Sequence, residues 1–174
     1  YRHIGRTIDI PAGDMGVGNK EIGYMFGQYK RLTRSYEGVF TGKDLLIGGA
    51  KGRPEATGYG LIYITEALLK TLNDDFKGKR VVVSGSGKVG VYAAIKAIEK
   101  GAKVIAMNDF RGGTIVDEDG LNLYDIKRIK LDENQSLKAY AELHELTLYD
   151  SAHIWEVPCD IALPCATQNE MDAE

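Results

Sequence analysis

The chain has 174 residues, of which 44% are hydrophobic and 27% are charged, and its formal net charge is −3. These values are typical of a soluble globular protein with one full domain and part of a second. A mildly acidic chain without a concentrated basic face is not expected to bind nucleic acid. The sequence has no apolar run as long as a membrane span and no signal-peptide pattern. We therefore expect a cytoplasmic protein without a membrane partner.

Both ends of the sequence resemble the inside of a longer chain. Residue 1 is a tyrosine rather than a methionine, and residues 168–174 resemble the start of a new helix. We therefore expect a fragment of a longer protein, with its last domain incomplete at the C-terminus.

The first third of the sequence predicts a loop and two helices. The glycines of PAGDMGVG at residues 11–18 mark a loop, and Asn19 is a candidate N-cap for the helix that follows. Apolar side chains at helical spacing over residues 20–35 predict the first helix. Residues 37–53 are irregular and glycine-rich. Pro54 then suits the first turn of a second helix, over about residues 54–73.

A β–turn–α–β unit is the clearest pattern in the sequence. RVVVSG at residues 80–85 is a short β-branched run, as expected of a buried parallel strand. The glycine-rich GSGKVG opens an amphipathic helix that Gly101 ends, and KVIAMND at residues 103–109 forms a second strand. The unit spans about thirty residues, which is the length of a parallel crossover. It predicts a Rossmann-type α/β fold with a doubly wound parallel sheet.

The turn of this unit carries the motif G-x-G-x-x-G at Gly85, Gly87 and Gly90. Gly85 permits the tight turn, Gly87 lets a pyrophosphate approach the backbone, and Gly90 lets helix and strand pack closely. The N–H groups at the start of the helix favour a bound phosphate. A structural turn without a ligand is the alternative. We predict a dinucleotide site that includes Ser84, Gly85, Ser86, Gly87, Lys88 and Val89.

Residues just after the second strand give conflicting predictions about the cofactor. Asp109 ends that strand a little over twenty residues past the motif, where an acid accepts the ribose 2′-hydroxyl of NAD. Arg111 could instead meet the 2′-phosphate of NADP, and Lys88 adds positive charge to the turn. Solvated surface charge is the alternative for both cations. The residues themselves leave the choice between NAD and NADP open.

The remainder of the chain predicts smaller elements. GGTIVDEDG at residues 112–120 is typical of a hairpin, and helical stretches lie near residues 121–131 and 136–145. CDIAL, which ends at residue 163, predicts a third buried strand. Cys159 and Cys165 are expected to be small buried side chains. Two thiols six residues apart without further ligands make a poor zinc site, so no metal is predicted.

Four segments resemble the hexameric glutamate dehydrogenases of the shorter-subunit type. They are DIPAGDMGVGNKEIGYMFGQYK at 9–30, GRPEATGYG at 52–60, VVVSGSGKVG at 81–90 and VPCDIALPCATQNE at 157–170. The resemblance runs in order through nearly the whole chain. It implies that residues 1–50 are the C-terminal part of a substrate-binding α/β domain and residues 51–174 an incomplete Rossmann cofactor domain.

The resemblance also implies the reaction and the partners. The expected reaction is the reversible, NAD(P)-dependent oxidative deamination of L-glutamate to 2-oxoglutarate and ammonium, by a homo-oligomer that is a hexamer in the family. Most shorter-subunit relatives with an acid at the position of Asp109 use NADP, so the resemblance slightly favours NADP over NAD despite the 2′-hydroxyl rule. A leucine or phenylalanine dehydrogenase is the alternative enzyme. A non-catalytic nucleotide-binding module is the alternative from another class.

Roles for single residues follow from the same resemblance. Asp14 matches a PAGD-loop aspartate that takes part in proton transfer, as a partly buried carboxylate can, and Gly13 matches a backbone contact to the substrate. Thr57 matches a threonine at the nicotinamide end of the cofactor. The alternatives are an Asx-turn for Asp14 and a hydroxyl bonded within its own helix for Thr57. In the PCATQNE segment, Ala166, Thr167 and Asn169 match residues that line the cleft around the nicotinamide. A helix N-cap is the alternative role for Asn169.

The sequence also departs from the family's pattern. The family usually has GSGNVA where this chain has GSGKVG, so Lys88 replaces an asparagine that normally helps to bind the cofactor. Gly90 replaces an alanine and suits a standard dinucleotide turn. In the family, the catalytic lysine and the lysines that bind the substrate carboxylates lie upstream of the PAGD loop, outside this sequence.

Overall fold

The computed structural model describes residues 1–110 and 112–171, which form two compact units, one of them Tyr1–Pro54 and the other beginning at Glu55. The α-helices of the described residues are α1 (Asn19–Thr33), α2 (Arg53–Thr71), α3 (Lys88–Glu99), α4 (Leu123–Lys127) and α5 (Leu137–Leu143). The strands are β1 (Arg80–Ser84), β2 (Lys103–Asp109), β3 (Gly113–Val116), β4 (Leu148–Tyr149) and β5 (Ile161–Pro164). Shorter helical segments are the 3₁₀ turns Leu45–Ile47 and Ser151–Glu156 and the π-helical Arg128–Asp132.

Helix α1 supplies the small core of the first unit. Ile22, Phe26 and Tyr29 follow one another at spacings of four and three, so they share one face of the helix, and all three are buried. They pack with Val39 and Phe40 from the segment after the helix. The predicted helical pattern is therefore confirmed, and its apolar face is what holds this unit together.

The N-cap of α1 is Gly18, so the prediction of Asn19 was wrong by one residue. Asn19 is already helical, whereas Gly18 has an extended backbone with φ of −119°. The carboxylate of Glu21 accepts the Gly18 N–H at 2.8 Å. A glutamate in the first turn thus binds back to the cap, and its charge favours the helix N-terminus.

The second unit is built on a five-stranded sheet with the strand order β4–β3–β2–β1–β5. Strands β2, β1 and β5 are parallel, and Val81 of β1 pairs with both Val104 and Ile161. Strands β3 and β4 are antiparallel additions at one edge. The α/β prediction is confirmed, but the sheet is mixed rather than wholly parallel. Only residues 110–112 separate β2 from β3, which is too short for a crossover and forces a hairpin.

The two faces of this sheet are covered differently. Val81 and Val83 of β1 lie in one apolar cluster with Ile62 of α2 and with residues of the other helices of this unit. Val82, between them, lies in a second cluster with Ile154 of the 3₁₀ turn. Successive side chains of a strand point to opposite faces, so a run of valines is buried on both sides. That burial explains why the apolar run predicts the strand correctly.

Helices α2 and α3 cross at Gly58. A Cβ at this position would lie 2.6 Å from the Ala93 nitrogen and 2.7 Å from the Val89 oxygen, which are backbone atoms and cannot move aside as a side chain can. We expect Gly58→Ala to lower the free energy of unfolding by about 2 kcal/mol, because the helices must separate. Urea unfolding would measure the change.

Gly60→Ala is the matched control for Gly58→Ala. Gly60 lies on the same helix, and a Cβ there would meet nothing within 4 Å. Alanine is the better helix former by about 1 kcal/mol, so this control is expected to be neutral or stabilising. Equal free energies of unfolding for the two variants would contradict the close crossing.

Candidate functional site

The glycine-rich turn joins β1 to α3 at the carboxyl end of the parallel strands. Gly85 has φ of 77°, in the left-handed region that favours glycine, and a Cβ there would lie 3.0 Å from Ala166. A Cβ at Gly90 would lie 1.9 Å from the Gly85 carbonyl oxygen. The first glycine is therefore required by the backbone conformation, and the third by the close approach of turn and helix.

The middle of the turn is open. Gly87 is the N-cap of α3, and a Cβ built on it would meet nothing within 4 Å. The first bond of the helix runs from the Val91 N–H to the Gly87 oxygen at 2.9 Å, so the preceding N–H groups lie outside the helical ladder. Gly87 and Lys88 are both exposed. This accessible helix start, beside a lysine, is suited to a phosphate group.

Ser84 ends β1 and is fully buried. Its hydroxyl donates to Glu170 Oε2 at 2.5 Å and accepts the Cys165 N–H at 3.0 Å. The other carboxylate oxygen of Glu170 accepts the Ala166 N–H at 3.1 Å. The Ser84 hydroxyl, predicted to belong to the cofactor site, therefore fastens the PCATQNE segment to the end of β1. Sequence reasoning did not identify Glu170, because nothing local shows which strand end it reaches.

The PCATQNE segment begins beside the glycine-rich turn, since Pro164 pairs with Ser84 in the sheet. Ala166, Thr167 and Asn169 are all exposed. Asn169 has φ of 57°, a left-handed conformation that asparagine tolerates better than most residues. The structure thus brings these residues to the carboxyl ends of β1 and β5, which is where open parallel sheets bind ligands.

Asp109 forms an ion pair with Lys130. Both side chains are mostly buried, with 16% of Asp109 and 13% of Lys130 exposed. Lys130 lies in the π-helical segment, where the sequence predicted a plain helix. Sequence reasoning did not identify Lys130, which is 21 residues from its partner. Arg111, the predicted contact for a 2′-phosphate, lies outside the described residues.

Asn108 connects the end of β2 to the glycine-rich turn. Its Oδ1 accepts the Gly85 N–H at 2.6 Å, and its Nδ2 donates to the Ser151 carbonyl oxygen at 2.9 Å. It directly precedes Asp109 in the strand. No motif in the sequence indicated this residue, because its partners lie 23 and 43 residues away.

Thr57 is exposed on α2, one residue before the crossing at Gly58. At that crossing the backbone of α2 approaches the carbonyl oxygen of Val89, in the first turn of α3. The structure therefore brings Thr57 towards the start of α3. Val89 itself is half-buried. Ser86, by contrast, is buried with 4% of its surface exposed.

Asp14 lies in a loop of the first unit. Its carboxylate accepts the Met15 N–H at 2.8 Å, and its carbonyl oxygen accepts the Val17 N–H at 2.9 Å. A Cβ at Gly13 would lie 2.9 Å from the Val17 side chain, so the loop is tight at this point. Asp14 is exposed rather than partly buried as expected. Its carboxylate is held by a local turn and faces solvent.

Both cysteines are free thiols. Cys159 is exposed, so the prediction that it is buried was wrong, because it precedes β5 instead of lying in it. Burial and the nearby Glu170 carboxylate raise the pKa of Cys165 to about 12, which makes it a poor nucleophile. Across residues 1–110 and 112–171, no cluster of His, Cys, Asp and Glu could hold a metal ion, and no helix could cross a membrane.

Family models match both units of the chain. Residues 48–174 match the model described as Glutamate/Leucine/Phenylalanine/Valine dehydrogenase. Residues 1–31 match the model described as Glu/Leu/Phe/Val dehydrogenase, dimerisation domain. The NADP-specific glutamate dehydrogenase of Escherichia coli (strain K12) is 49% identical over 177 residues, a match that covers 100% of this chain and 39% of that protein.

Two further relatives agree with this assignment. The NAD(P)-specific glutamate dehydrogenase of Xylanibacter ruminicola is 46% identical over 99% of this chain and 39% of its own length. The crystal structure of Plasmodium falciparum glutamate dehydrogenase has a TM-score of 0.88 and 40% identity, over 97% of this chain and 37% of that one. The chain thus spans 39% of the length of the Escherichia coli and Xylanibacter ruminicola enzymes. It belongs to the Glu/Leu/Phe/Val dehydrogenase family, and the resemblance to glutamate dehydrogenases is confirmed.

Proposed function

We propose that the protein catalyses the reversible oxidative deamination of L-glutamate to 2-oxoglutarate and ammonium with a nicotinamide cofactor. The open helix start at Gly87 supports this most directly, because it offers a phosphate site at the carboxyl end of a parallel sheet. The relatives that share this sequence are named glutamate dehydrogenases. Bound nicotinamide would accept or return the hydride. The second unit is then the cofactor domain, and the first is the end of a substrate domain.

The residues of the second unit bind and orient the cofactor in this proposal. The turn at Gly85 and the start of α3 hold the pyrophosphate through backbone N–H groups. Ser84 acts through Glu170 to fix the segment that carries Thr167 and Asn169. That segment lies beside the turn, so it is placed to meet the nicotinamide half.

Asp14 is the proposed proton-transfer residue. Conversion of an imine to a ketone requires a proton to leave the attacking water, and a carboxylate can accept it. The exposed Asp14 has one oxygen engaged by the Met15 N–H. Its other oxygen is the atom proposed to take the proton. Displacement of water by bound substrate would supply the burial that favours proton sharing.

The Asp109–Lys130 pair favours NADP over NAD. A lone carboxylate accepts a ribose 2′-hydroxyl and repels a 2′-phosphate. Here the ammonium of Lys130 neutralises the Asp109 carboxylate and is itself a donor to anionic oxygens. The proposed site therefore accepts the extra phosphate of NADP without placing two negative charges together.

Lys130→Gln is expected to raise the KM for NADPH by about tenfold or more, because the positive charge that strengthens the bond to the 2′-phosphate is lost. The KM for NADH should stay about the same, since NADH has no 2′-phosphate to lose an interaction with Lys130. Lys127→Gln is the control, because Lys127 lies 5.9 Å above the Tyr92 ring and is a neighbouring cation outside the pair. Steady-state kinetics with each cofactor give the two KM values that are compared. Equal losses for NADPH and NADH would contradict the proposed role of Lys130.

The activity itself is tested by adding L-glutamate and NADP to the full-length protein and following absorbance of the reduced nicotinamide. L-Leucine and L-phenylalanine are run in parallel, since the family model also names those enzymes. Turnover restricted to glutamate supports the proposal. Turnover with leucine or phenylalanine but not with glutamate would show that the substrate is that amino acid instead. Binding of NADPH without any turnover would favour the non-catalytic module.

The first unit is also proposed to contact other subunits of a cytoplasmic homo-oligomer. A groove of about 550 Å³ lies along α1 and is lined by apolar side chains that include Tyr24, Met25 and Leu32. The family model that matches residues 1–31 is described as a dimerisation domain. Apolar patches rimmed by polar residues often mark protein interfaces. Sedimentation of the full-length protein distinguishes a hexamer from smaller assemblies.

A further inference from the structure

We propose that Asn108 is a positioning residue that fixes the phosphate turn (the glycine-rich turn from Gly85 to Gly87) relative to the Asp109–Lys130 pair. The inference rests on the proposed NADP site, in which these two places hold the two ends of the adenosine half of the cofactor. Asn108 accepts a hydrogen bond from the turn at Gly85 and is the chain neighbour of Asp109. It therefore sets the separation that one ligand must span.

The contact with the turn is made at Gly85, just past the end of β1. The parallel ladder of β1 ends at Ser84, so the Gly85 N–H lies beyond the last strand pair. This N–H donates to Asn108 Oδ1 at 2.6 Å. The chain bends at Gly85 with φ of 77°, which residues with a side chain adopt far less readily than glycine. The side chain of β2 thus holds the turn at the residue where it departs from the sheet.

The amide of Asn108 is fixed at both of its ends. Nδ2 donates to the Ser151 carbonyl oxygen at 2.9 Å, at the start of a 3₁₀ turn. An amide oxygen can only accept and an amide nitrogen can only donate, so this contact directs Oδ1 towards Gly85. Thr114 Oγ1 also donates to the same Ser151 oxygen, at 3.2 Å. Thr114 is fully buried and shares one partner with Asn108, but it does not share the contact to the turn.

A ligand that reaches both ends of the site depends on their separation, whereas a ligand that reaches one end does not. Adenosine 2′,5′-bisphosphate has phosphates for both the turn and the Lys130 end. Adenosine 2′-monophosphate has only the second. Loss of the Asn108 contact should therefore weaken the bisphosphate selectively. General damage to the fold near β2 would instead weaken both ligands.

The test is calorimetric titration of the full-length protein and its variants with these two nucleotides. Asn108→Ala is expected to weaken the bisphosphate about tenfold, which is about 1.4 kcal/mol, and to change the monophosphate less than about twofold. Thr114→Val keeps the volume and removes only the second donor to Ser151, so both affinities should stay at the wild-type level. Asn108→Ser, which keeps a small polar group, is the second variant if the alanine protein does not fold.

Two results would overturn the role of Asn108. One is an unchanged affinity of Asn108→Ala for the bisphosphate, and the other is an equal loss for the two nucleotides. A wild-type protein that binds neither nucleotide would overturn the proposed NADP site, and this inference with it. The wild-type titration therefore separates failure of the proposed cofactor from failure of the positioning role.

Discussion

Asp14→Asn is expected to lower kcat for glutamate oxidation by about 10²–10⁴-fold, the usual contribution of a general acid or base. Asparagine has nearly the same shape, and its Oδ1 can still accept the Met15 N–H that the carboxylate accepts at 2.8 Å. The second carboxylate oxygen, proposed to take the proton, becomes an amide nitrogen that cannot accept one. The variant thus keeps the loop and removes only the proposed proton acceptor, so the KM for NADP should change less than about twofold.

Asp44→Asn is the matched control for this experiment. Asp44 lies in the same unit, and its carboxylate also accepts a backbone N–H, from Leu46 at 2.9 Å. An amide should preserve this cap as it preserves the loop of Asp14, and kcat should remain near the wild-type value. Stopped-flow and steady-state measurements give kcat and the cofactor KM separately. An unchanged kcat for Asp14→Asn, or a parallel loss of kcat and cofactor affinity, would remove Asp14 from the chemistry.

The parts of the site that lie close together in the sequence were predictable. The spacing of Gly85, Gly87 and Gly90 after a β-branched run fixes a strand, a turn and a helix start within a few residues. The predicted second strand at residues 103–109 matches β2 (Lys103–Asp109). The predicted third strand at 159–163 is displaced, since β5 starts at Ile161. Local backbone requirements can thus be predicted from the sequence, whereas the exact ends of a strand also depend on the strands that pair with it.

The contacts that join distant elements were not predictable. Lys130, Asn108 and Glu170 are ordinary polar residues by sequence, and each acquires its role from a partner that the fold brings near. The ion pair of Lys130 depends on a π-helical segment that no spacing rule indicates. The hydrogen bond of Asn108 depends on the parallel pairing of β2 with β1. Such residues become visible only once the strand order is known.

The exposed Asp14 shows that position in the structure does not by itself assign a chemical role. The resemblance placed Asp14 in the chemistry, whereas the residues alone allowed a simple turn, and the structure contains that turn. The two interpretations are compatible, because one carboxylate oxygen can hold the loop while the other acts. Sequence and fold therefore locate the group, and measurement of turnover must assign its chemistry.

Gly87→Val is expected to raise the dissociation constant for NADPH by about 100-fold or more, because two charge-assisted hydrogen bonds to the pyrophosphate would be blocked. Gly87 has φ of −78° and ψ of −173°, a conformation that valine adopts easily. A Cβ there would meet nothing within 4 Å. The exposed position therefore has room for a Cβ, and the rest of the valine side chain would occupy space that the proposed pyrophosphate needs. Titration followed by nicotinamide fluorescence measures the loss.

Gly90→Val separates loss of binding from loss of folding. At Gly90 a Cβ would lie 1.9 Å from the Gly85 carbonyl oxygen, so this variant must distort the turn and should lower the melting temperature. Gly87→Val should melt within a few degrees of the wild type, since the change of N-cap residue costs about 1 kcal/mol. A stable Gly87→Val protein with wild-type affinity for NADPH would mean that no phosphate approaches this backbone. The glycine motif would then serve only the packing of α3 on β1, and the cofactor would have to bind elsewhere.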